Sequence, residues 1–166
     1  MELIIRAVRE EDAATIVRLL NPIISAGIYT AMDKPFTAED QLDFIRNFPQ
    51  RGIYHIAIDD GNQKALGIQD VMPISTSNVF RHVGEISTFV ALDAHRHGVG
   101  QSLCQAMFTA AKELGYLKLR ATVRGDNPYA LAFYRSQGFE LIGVAHKHAF
   151  LHGTYMDEVL LEKFLE

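Results

Sequence analysis

Residues 92–103 read Leu92-Asp93-Ala94-His95-Arg96-His97-Gly98-Val99-Gly100-Gln101-Ser102-Leu103, and they join a strand-like run to a helix-like run. The preceding run, Glu85 to Leu92, is rich in β-branched and aromatic residues and has the length of a buried strand. Apolar residues then recur at helical spacing: Val99, Leu103, Ala106, Met107, Ala110 and Leu114. The stretch is therefore predicted to be a glycine-bearing turn between a strand and a helix.

The two glycines of this turn favour an anion site. The first amides of a helix have no intrahelical acceptor and carry a partial positive charge. Gly98 and Gly100 lack a Cβ, so a diphosphate can come close to the backbone, and Arg96 adds a fixed positive charge. An ordinary tight turn into a helix explains the same pattern, and the glycines alone do not separate the two interpretations.

The composition predicts one globular domain, residues 1–166, with no nucleic-acid surface. Of the 166 residues 48% are hydrophobic and 22% are charged, and the formal net charge of −4 provides no basic field for nucleic acid. The single cysteine, Cys104, excludes an internal disulfide. The first residues do not resemble a signal peptide and no apolar run reaches membrane-spanning length, so we expect a cytoplasmic protein without a membrane partner.

The order of predicted elements indicates a mixed sheet flanked by helices. Strands are predicted at 3–8, 53–58, 65–74, 85–92, 118–123, 139–145 and 158–164, with a loop or hairpin over 148–155. Helices are predicted from the acidic residues at 10–12 to Asn21-Pro22, after the capping residue Thr37, after Gly98 and at 129–136. This is an α/β (mixed α+β) fold with a central, largely antiparallel sheet of about seven strands and about four helices.

Two separated motifs, at residues 95–100 and 127–139, fall on these predicted elements. The first follows the pattern Arg/Gln-x-x-Gly-x-Gly/Ala, except that His95 replaces Arg or Gln. The second reads Asn-Pro-Tyr-Ala-Leu-Ala-Phe-Tyr-Arg-Ser-Gln-Gly-Phe, and the closing segment 153–161 fits the same family. On these motifs the chain resembles, over nearly its whole length, the GNAT superfamily of acyl-CoA-dependent N-acyltransferases, and it is most similar to the phosphinothricin and amino-acid N-acetyltransferase branch.

The resemblance implies acetyl-CoA as co-substrate, bound where strands 4 and 5 of this fold splay apart. The implied coenzyme contacts are Phe89 and Val90 on the strand, His95, Arg96, His97, Gly98, Val99, Gly100 and Gln101 in the phosphate loop, and Asn127 and Tyr134 in the second motif. Backbone amides provide most of the diphosphate binding in this family, so the departure at His95 affects only a side-chain contact. Asn127 equally suits the cap of the following helix.

Glu85 and Tyr134 are the predicted catalytic residues. A carboxylate in a central strand is costly unless it is paired, hydrated or used, and the phosphinothricin-type branch has an acid at this place. We therefore predict Glu85 as the base, acting directly or through water, with a structural acid bonded to backbone or to Arg81 as the alternative. The tyrosine that Tyr134 matches points at the coenzyme sulfur in this family, which implies the acid; an apolar helix face is the alternative.

The predicted activity is direct acetyl transfer to the primary amine of a small molecule, with an amino acid or amino-acid-like compound favoured. Polyamines and protein or peptide N-termini are alternative acceptors, and a non-catalytic acyl-CoA-binding sensor or scaffold is the alternative class. A homodimer is left open, because the final strand supports dimers in relatives. His146, His148 and His152 raise the question of a metal, but no acid is matched to them at ligand spacing, and we predict none.

Overall fold

The structure, a computed structural model, describes residues 1–166. Its strands are β1 (Leu3–Ala7), β2 (Ile53–Asp59), β3 (Ala65–Pro73), β4 (Val83–Val90), β5 (Lys118–Arg124), β6 (Glu140–Leu151) and β7 (Thr154–Phe164). Its helices are α1 (Ala13–Ala26), α2 (Ala38–Arg46), α3 (Val99–Glu113) and α4 (Pro128–Ser136), with short 3-10 turns at Glu10–Asp12, Asn78–Phe80 and Leu92–Ala94. None of the helices combines the length and the apolar character that a membrane crossing requires.

The seven strands form one sheet in the order β1-β2-β3-β4-β5-β7-β6. Every neighbouring pair is antiparallel except β4 and β5, which run parallel. The parallel pairing extends only from Val83 beside Lys118 to Ile86 beside Ala121, although both strands continue beyond it. The predicted mixed, largely antiparallel sheet with four flanking helices and a splay between strands 4 and 5 is therefore confirmed.

The two faces of the sheet carry different helices. Direct partners in an antiparallel pair point to the same face, and Gln69 of β3 reaches Cys104 of α3, with 3.2 Å between Nε2 and Sγ. On the other face, the Gln41 amide of α2 donates to the Tyr54 hydroxyl of β2 at 2.9 Å. Cys104 is fully buried, and burial raises the pKa of its thiol to about 11. Cys104 is thus a packing residue of the face that α3 covers.

The first helix is longer than the sequence pattern predicts. We expected Asn21-Pro22 to weaken or end it, because proline lacks an amide hydrogen and its ring crowds the preceding turn. Instead, α1 continues through Pro22 to Ala26 and ends at Gly27, which has a left-handed φ of 73°. Ile23 and Ile24, which follow the proline, are 3% and 4% exposed. Burial of these two side chains offsets the lost hydrogen bond and keeps the last turn helical.

The last two strands are also longer than predicted and meet in a tight hairpin. The segment 148–155, expected to be a loop or hairpin, supplies the end of β6 and the start of β7. His152 and Gly153 form the turn with φ values of 51° and 79°, and two positive values in succession define a type I′ hairpin. Much of β6 is exposed, so alternation does not reveal its full length. The hairpin also brings Asp157 Oδ2 to 3.2 Å from His146 Nδ1, an acid that spacing along the chain does not show.

Candidate active site

A cleft of about 860 Å³ opens where β4 and β5 separate. The predicted coenzyme contacts line it with the single exception of His97: Phe89, Val90, His95, Arg96, Gly98, Val99, Gly100, Gln101, Asn127 and Tyr134. Sequence reasoning missed other lining residues, among them Tyr29 after α1 and Tyr129 and Phe133 of α4. The motif signal at 127–139 covers the α4 residues, but no local pattern marks Tyr29. Glu85 is not among the lining residues.

The loop before α3 presents consecutive backbone amides without protein acceptors. No backbone carbonyl or side chain accepts from any amide between His95 and Gln101, and the first amide of this region with a partner is that of Ser102, at 3.0 Å from the Gly98 carbonyl oxygen. Arg96 and Gly98 have left-handed φ values of 66° and 78°. Left-handed residues within a loop turn neighbouring amides toward a common point, which is the geometry of an anion nest. This loop can therefore hold a diphosphate with backbone groups.

The two glycines of the loop serve different purposes. A Cβ on Gly98 would meet no atom of the protein within 4 Å, so crowding does not explain the glycine. Its positive φ does, because glycine adopts this backbone conformation without strain. A Cβ on Gly100 would lie 2.7 Å from Phe133 Cε1. Gly100 thus allows the first turn of α3 to approach α4, a role that differs from the close diphosphate approach predicted for both glycines.

His95 turns back onto the end of β4. Its Nε2 lies 3.1 Å from the Val90 carbonyl oxygen, and its ring meets the edge of Tyr29 with 5.7 Å between centroids. The residue that departs from the Arg/Gln pattern therefore contacts one of the two strand residues predicted to pair with the pantetheine arm. A pantetheine amide at Val90 would share this carbonyl with His95.

Tyr134 places a buried hydroxyl at the inner end of the cleft. The residue is 6% exposed, and its hydroxyl donates to Thr88 Oγ1 at 3.0 Å. Thr88 Oγ1 also accepts from Gln69 Nε2 at 2.9 Å, so two donors converge on one oxygen. Burial raises the pKa of Tyr134, and the nearby Asp70 and Glu85 act in the same direction. The hydroxyl therefore stays protonated near neutral pH, the form that can donate to a thiolate.

Glu85 lies on the opposite face of β4 from Thr88 and is bonded to β5. Arg120 Nε donates to its Oε2 at 2.6 Å, and Thr122 Oγ1 donates to its Oε1 at 2.8 Å. Its side chain is 28% exposed, so the carboxylate is paired and reachable from solvent. Arg81, the ion-pair partner considered from sequence, is not a partner of Glu85 in the structure. Both oxygens are fixed in place by the neighbouring strand.

A second acid, Asp70 of β3, lies on the same face and was missed by sequence reasoning. It is half-buried, and burial together with the negative charge of Glu85 raises its pKa to about 7. The signal was available, because Asp70 interrupts a predicted apolar strand as Glu85 interrupts the next. Two carboxylates therefore occupy neighbouring strands near the point where β4 and β5 part.

Polar side chains from the second motif fix the segment that follows α1. Asn127 Oδ1 accepts from the Ala130 amide at 3.1 Å, as a helix cap does, while its Nδ2 donates to the Tyr29 carbonyl at 3.2 Å. Buried Arg124 donates through Nη1 to the Gly27 and Thr30 carbonyl oxygens, each at 2.9 Å, and pairs with Asp126. The cap predicted for Asn127 as the alternative is thus present, and the same side chain holds Tyr29 at the cleft.

An open sheet whose parallel strands separate beside a helix start with unpartnered amides suits a protein that binds a phosphate-bearing cofactor along the free strand edges. The family profile described as "Acetyltransferase (GNAT) domain" matches residues 5–160. The chain therefore belongs to the GNAT family of acetyltransferases.

Several relatives are similar to this chain over most of their length. A protein of Bacillus subtilis (strain 168), provisionally named a phosphinothricin acetyltransferase, is 24% identical over 161 residues, which are 97% of this chain and 98% of the relative. The L-amino acid N-acyltransferase of Escherichia coli (strain K12) is 22% identical over 98% of this chain and 94% of its own length. The crystal structure of a Sinorhizobium meliloti phosphinothricin acetyltransferase in complex with acetyl-CoA superposes with a TM-score of 0.90 at 21% identity, covering 99% of this chain and 89% of that one.

Proposed function

We propose that this acetyltransferase transfers the acetyl group of acetyl-CoA directly to the primary amine of an amino acid or amino-acid-like small molecule. The observation that carries the proposal is the run of unpartnered amides from His95 to Gln101 at one end of the cleft, with the Tyr134 hydroxyl at the other. A cofactor with a diphosphate at one end and a thioester at the other suits such a cleft. Acetyl-CoA has this chemistry.

In this proposal the pantetheine arm follows the free edge of β4. Beyond Ile86 that edge has no partner strand, so backbone groups of Val90 can pair with amides of the arm as an added strand would, whereas the backbone groups of Phe89 face Ile68 of β3. A backbone amide of the same edge then donates to the thioester oxygen and stabilises the charge that develops there. Tyr134 donates its proton to the departing thiolate.

The acceptor amine is placed on the face of Glu85. This carboxylate attracts an ammonium group, and we include its predicted role as the base in the proposal. Arg120 bonds Glu85 through Nε, and its terminal nitrogens have no protein acceptor, so they can bind a carboxylate of the acceptor. An amino group and a carboxylate on one small molecule match this pair of charges. The names of the phosphinothricin and L-amino acid relatives support the same acceptor class.

The proposal is tested by thiol release from acetyl-CoA with a panel of acceptors. The panel compares L-amino acids, their D enantiomers, their amides without a free carboxylate, polyamines and short peptides. We expect the highest kcat/KM with a free amino acid and a clear loss with its amide. Faster turnover of polyamines or peptides than of amino acids would show that the acceptor belongs to one of those classes instead. Tight acetyl-CoA binding without turnover of any amine would instead favour a sensor or scaffold.

We also propose a cytoplasmic location and a homodimer. Leu141, Ile142 and Val144 of β6 are 47%, 49% and 41% exposed on a strand at the edge of the sheet, and a second copy could cover them. Light scattering of the purified protein tests the assembly. A monomeric mass at micromolar concentration would contradict it.

A further inference from the structure

Asp70 lies beside the point where the sheet opens. Its direct partners are Tyr54 on β2 and Ser87 on β4, and Ser87 is the first residue of β4 that β5 leaves unpaired. Glu85 is two residues from Ser87 and therefore points to the same face. Asp70 and Glu85 thus lie on one face of the sheet, beside the point where β4 and β5 part.

The two carboxylates differ in how they are held. Both oxygens of Glu85 accept hydrogen bonds from β5, whereas no side chain or backbone amide donates to Asp70. The sealed side-chain polar atoms that lack a partner are His55 Nδ1 and Gln69 Oε1, so the unpartnered Asp70 oxygens are in contact with solvent. An unpartnered carboxylate in a half-buried position next to a second negative charge is costly. A cation that reaches these oxygens would remove that cost.

We propose that Asp70 is a catalytic residue: its carboxylate receives the ammonium group of the acceptor and takes one proton from it. This inference rests on the proposed acetyl transfer and changes the role of Glu85. With its oxygens fixed by Arg120 and Thr122, Glu85 contributes the second negative charge that draws the ammonium in. Asp70 has free oxygens to accept the proton.

The proton movements balance over the full reaction. Asp70 takes a proton from the ammonium, and the nitrogen lone pair attacks the carbonyl carbon of the thioester. The tetrahedral intermediate collapses as the C–S bond breaks, and the Tyr134 hydroxyl protonates the sulfur. The second proton of the nitrogen passes to water on the face of Asp70, and Tyr134 regains a proton from water in the cleft, which leaves an amide and a free thiol. Asp70 then releases its proton to solvent.

The electrostatic surroundings of Asp70 suit this role. The titratable groups on its own face are Tyr54 from β2 and Glu85 from β4, and Arg120 of β5 reaches the region through its ion pair with Glu85. Tyr134 of α4 lies across the sheet, where Asp70 still influences it electrostatically. Because burial and Glu85 raise the pKa of Asp70 to about 7, the carboxylate gains and loses a proton near neutral pH. A base with a pKa near the working pH is the most effective.

The test compares Asp70→Asn and Glu85→Gln, with Asp60→Asn, an exposed carboxylate of the β2–β3 hairpin, as the matched control. Thiol release is measured from pH 5 to pH 9 with the best amine of the panel and with a hydrazide of similar shape, which is already neutral at these pH values. Calorimetry measures acetyl-CoA affinity for each variant.

We expect Asp70→Asn to lower kcat/KM for the amine about 100-fold near pH 7 and to remove the rise in rate across neutral pH. Its rate with the hydrazide and its acetyl-CoA affinity should stay within a few-fold of wild type, which also shows that the variant folds. Glu85→Gln should raise the acceptor KM and keep the rise of rate with pH, moved to lower pH because the charge of Glu85 no longer raises the pKa of Asp70. Asp60→Asn should match wild type in every measurement.

Three results overturn the inference. In the first, Asp70→Asn keeps the wild-type rate and pH profile. In the second, the rise in rate across neutral pH is lost in Glu85→Gln alone, which would make Glu85 the base. An equal loss with amine and hydrazide would show a purely structural role for Asp70. Each of these leaves acetyl transfer by the wild type intact, whereas an inactive wild type would remove the proposed function together with the inference.

Discussion

Asp70→Asn should increase the stability of the folded protein at high pH. The pKa of Asp70 is raised from its ordinary 3.8 to about 7 by burial and by Glu85, so the folded state binds a proton more tightly than the unfolded state does. Stability from this group is present below about pH 4 and is lost as pH rises to about 7. Asparagine cannot ionise, and the variant avoids that loss.

The magnitude follows from the shift. A rise from 3.8 to about 7 corresponds to about 4 kcal/mol at full strength. Because the side chain is only half-buried and solvent screens part of the interaction, we expect a gain of about 2 kcal/mol above pH 7. Urea unfolding of both proteins at pH 4, 6 and 8 measures the difference, which should be near zero at pH 4 and largest at pH 8. A difference that does not depend on pH, or a less stable variant at pH 8, would refute the reasoning.

Four other substitutions or reactions test separate parts of the structure. Tyr134→Phe should lower kcat about 100-fold with little change in acetyl-CoA affinity, because it removes the donor and keeps the ring; an unchanged rate of thiol release would exclude Tyr134 as the acid. Gly98→Ala should lower the free energy of unfolding by about 1 kcal/mol through its positive φ and weaken acetyl-CoA binding in calorimetry; equal affinity would argue against a diphosphate at this loop. Arg124→Met should cost about 3 kcal/mol in urea unfolding, since it leaves two carbonyls and Asp126 without their donor, and a loss below 1 kcal/mol would contradict this. Cys104, with a thiol pKa of about 11, should resist iodoacetamide at pH 8 until denaturant is added, as mass spectrometry would show.

Most of the fold could be predicted because the inner strands and α3 have strong periodicity. The capping pattern at Thr37 also predicts α2 correctly, since its hydroxyl accepts from the Asp40 amide and the Asp40 carboxylate accepts in return. The failures lie where tertiary packing or an edge position overrides local signals. Pro22 remains helical because the following isoleucines are buried, and β6 is exposed, so its sequence lacks the alternation that would show its length.

The position of the cleft could be predicted from sequence, but the contacts that its residues make with one another could not. Two motifs place the loop at 95–100 and the helix after Asn127 on opposite sides of the parted strands. The motifs could not show which contacts their residues make within the protein: the His95 ring lies against the Val90 carbonyl, and the Gly100 backbone lies close to the Phe133 ring. Asp70 was predictable in principle, but only strand register brings it beside Glu85.

The alternation of β4 separates the two proton transfers of the proposed reaction. Glu85 points to the face where Asp70 lies, whereas Thr88 points to the face where it accepts from Tyr134. If the thioester occupies the parting between β4 and β5, the amine approaches from one face and the thiolate is protonated from the other. The base and the acid then act on opposite sides of a single strand. In the proposed reaction this separation keeps Tyr134 from protonating the acceptor amine before it attacks, so the splay would serve catalysis as well as cofactor binding.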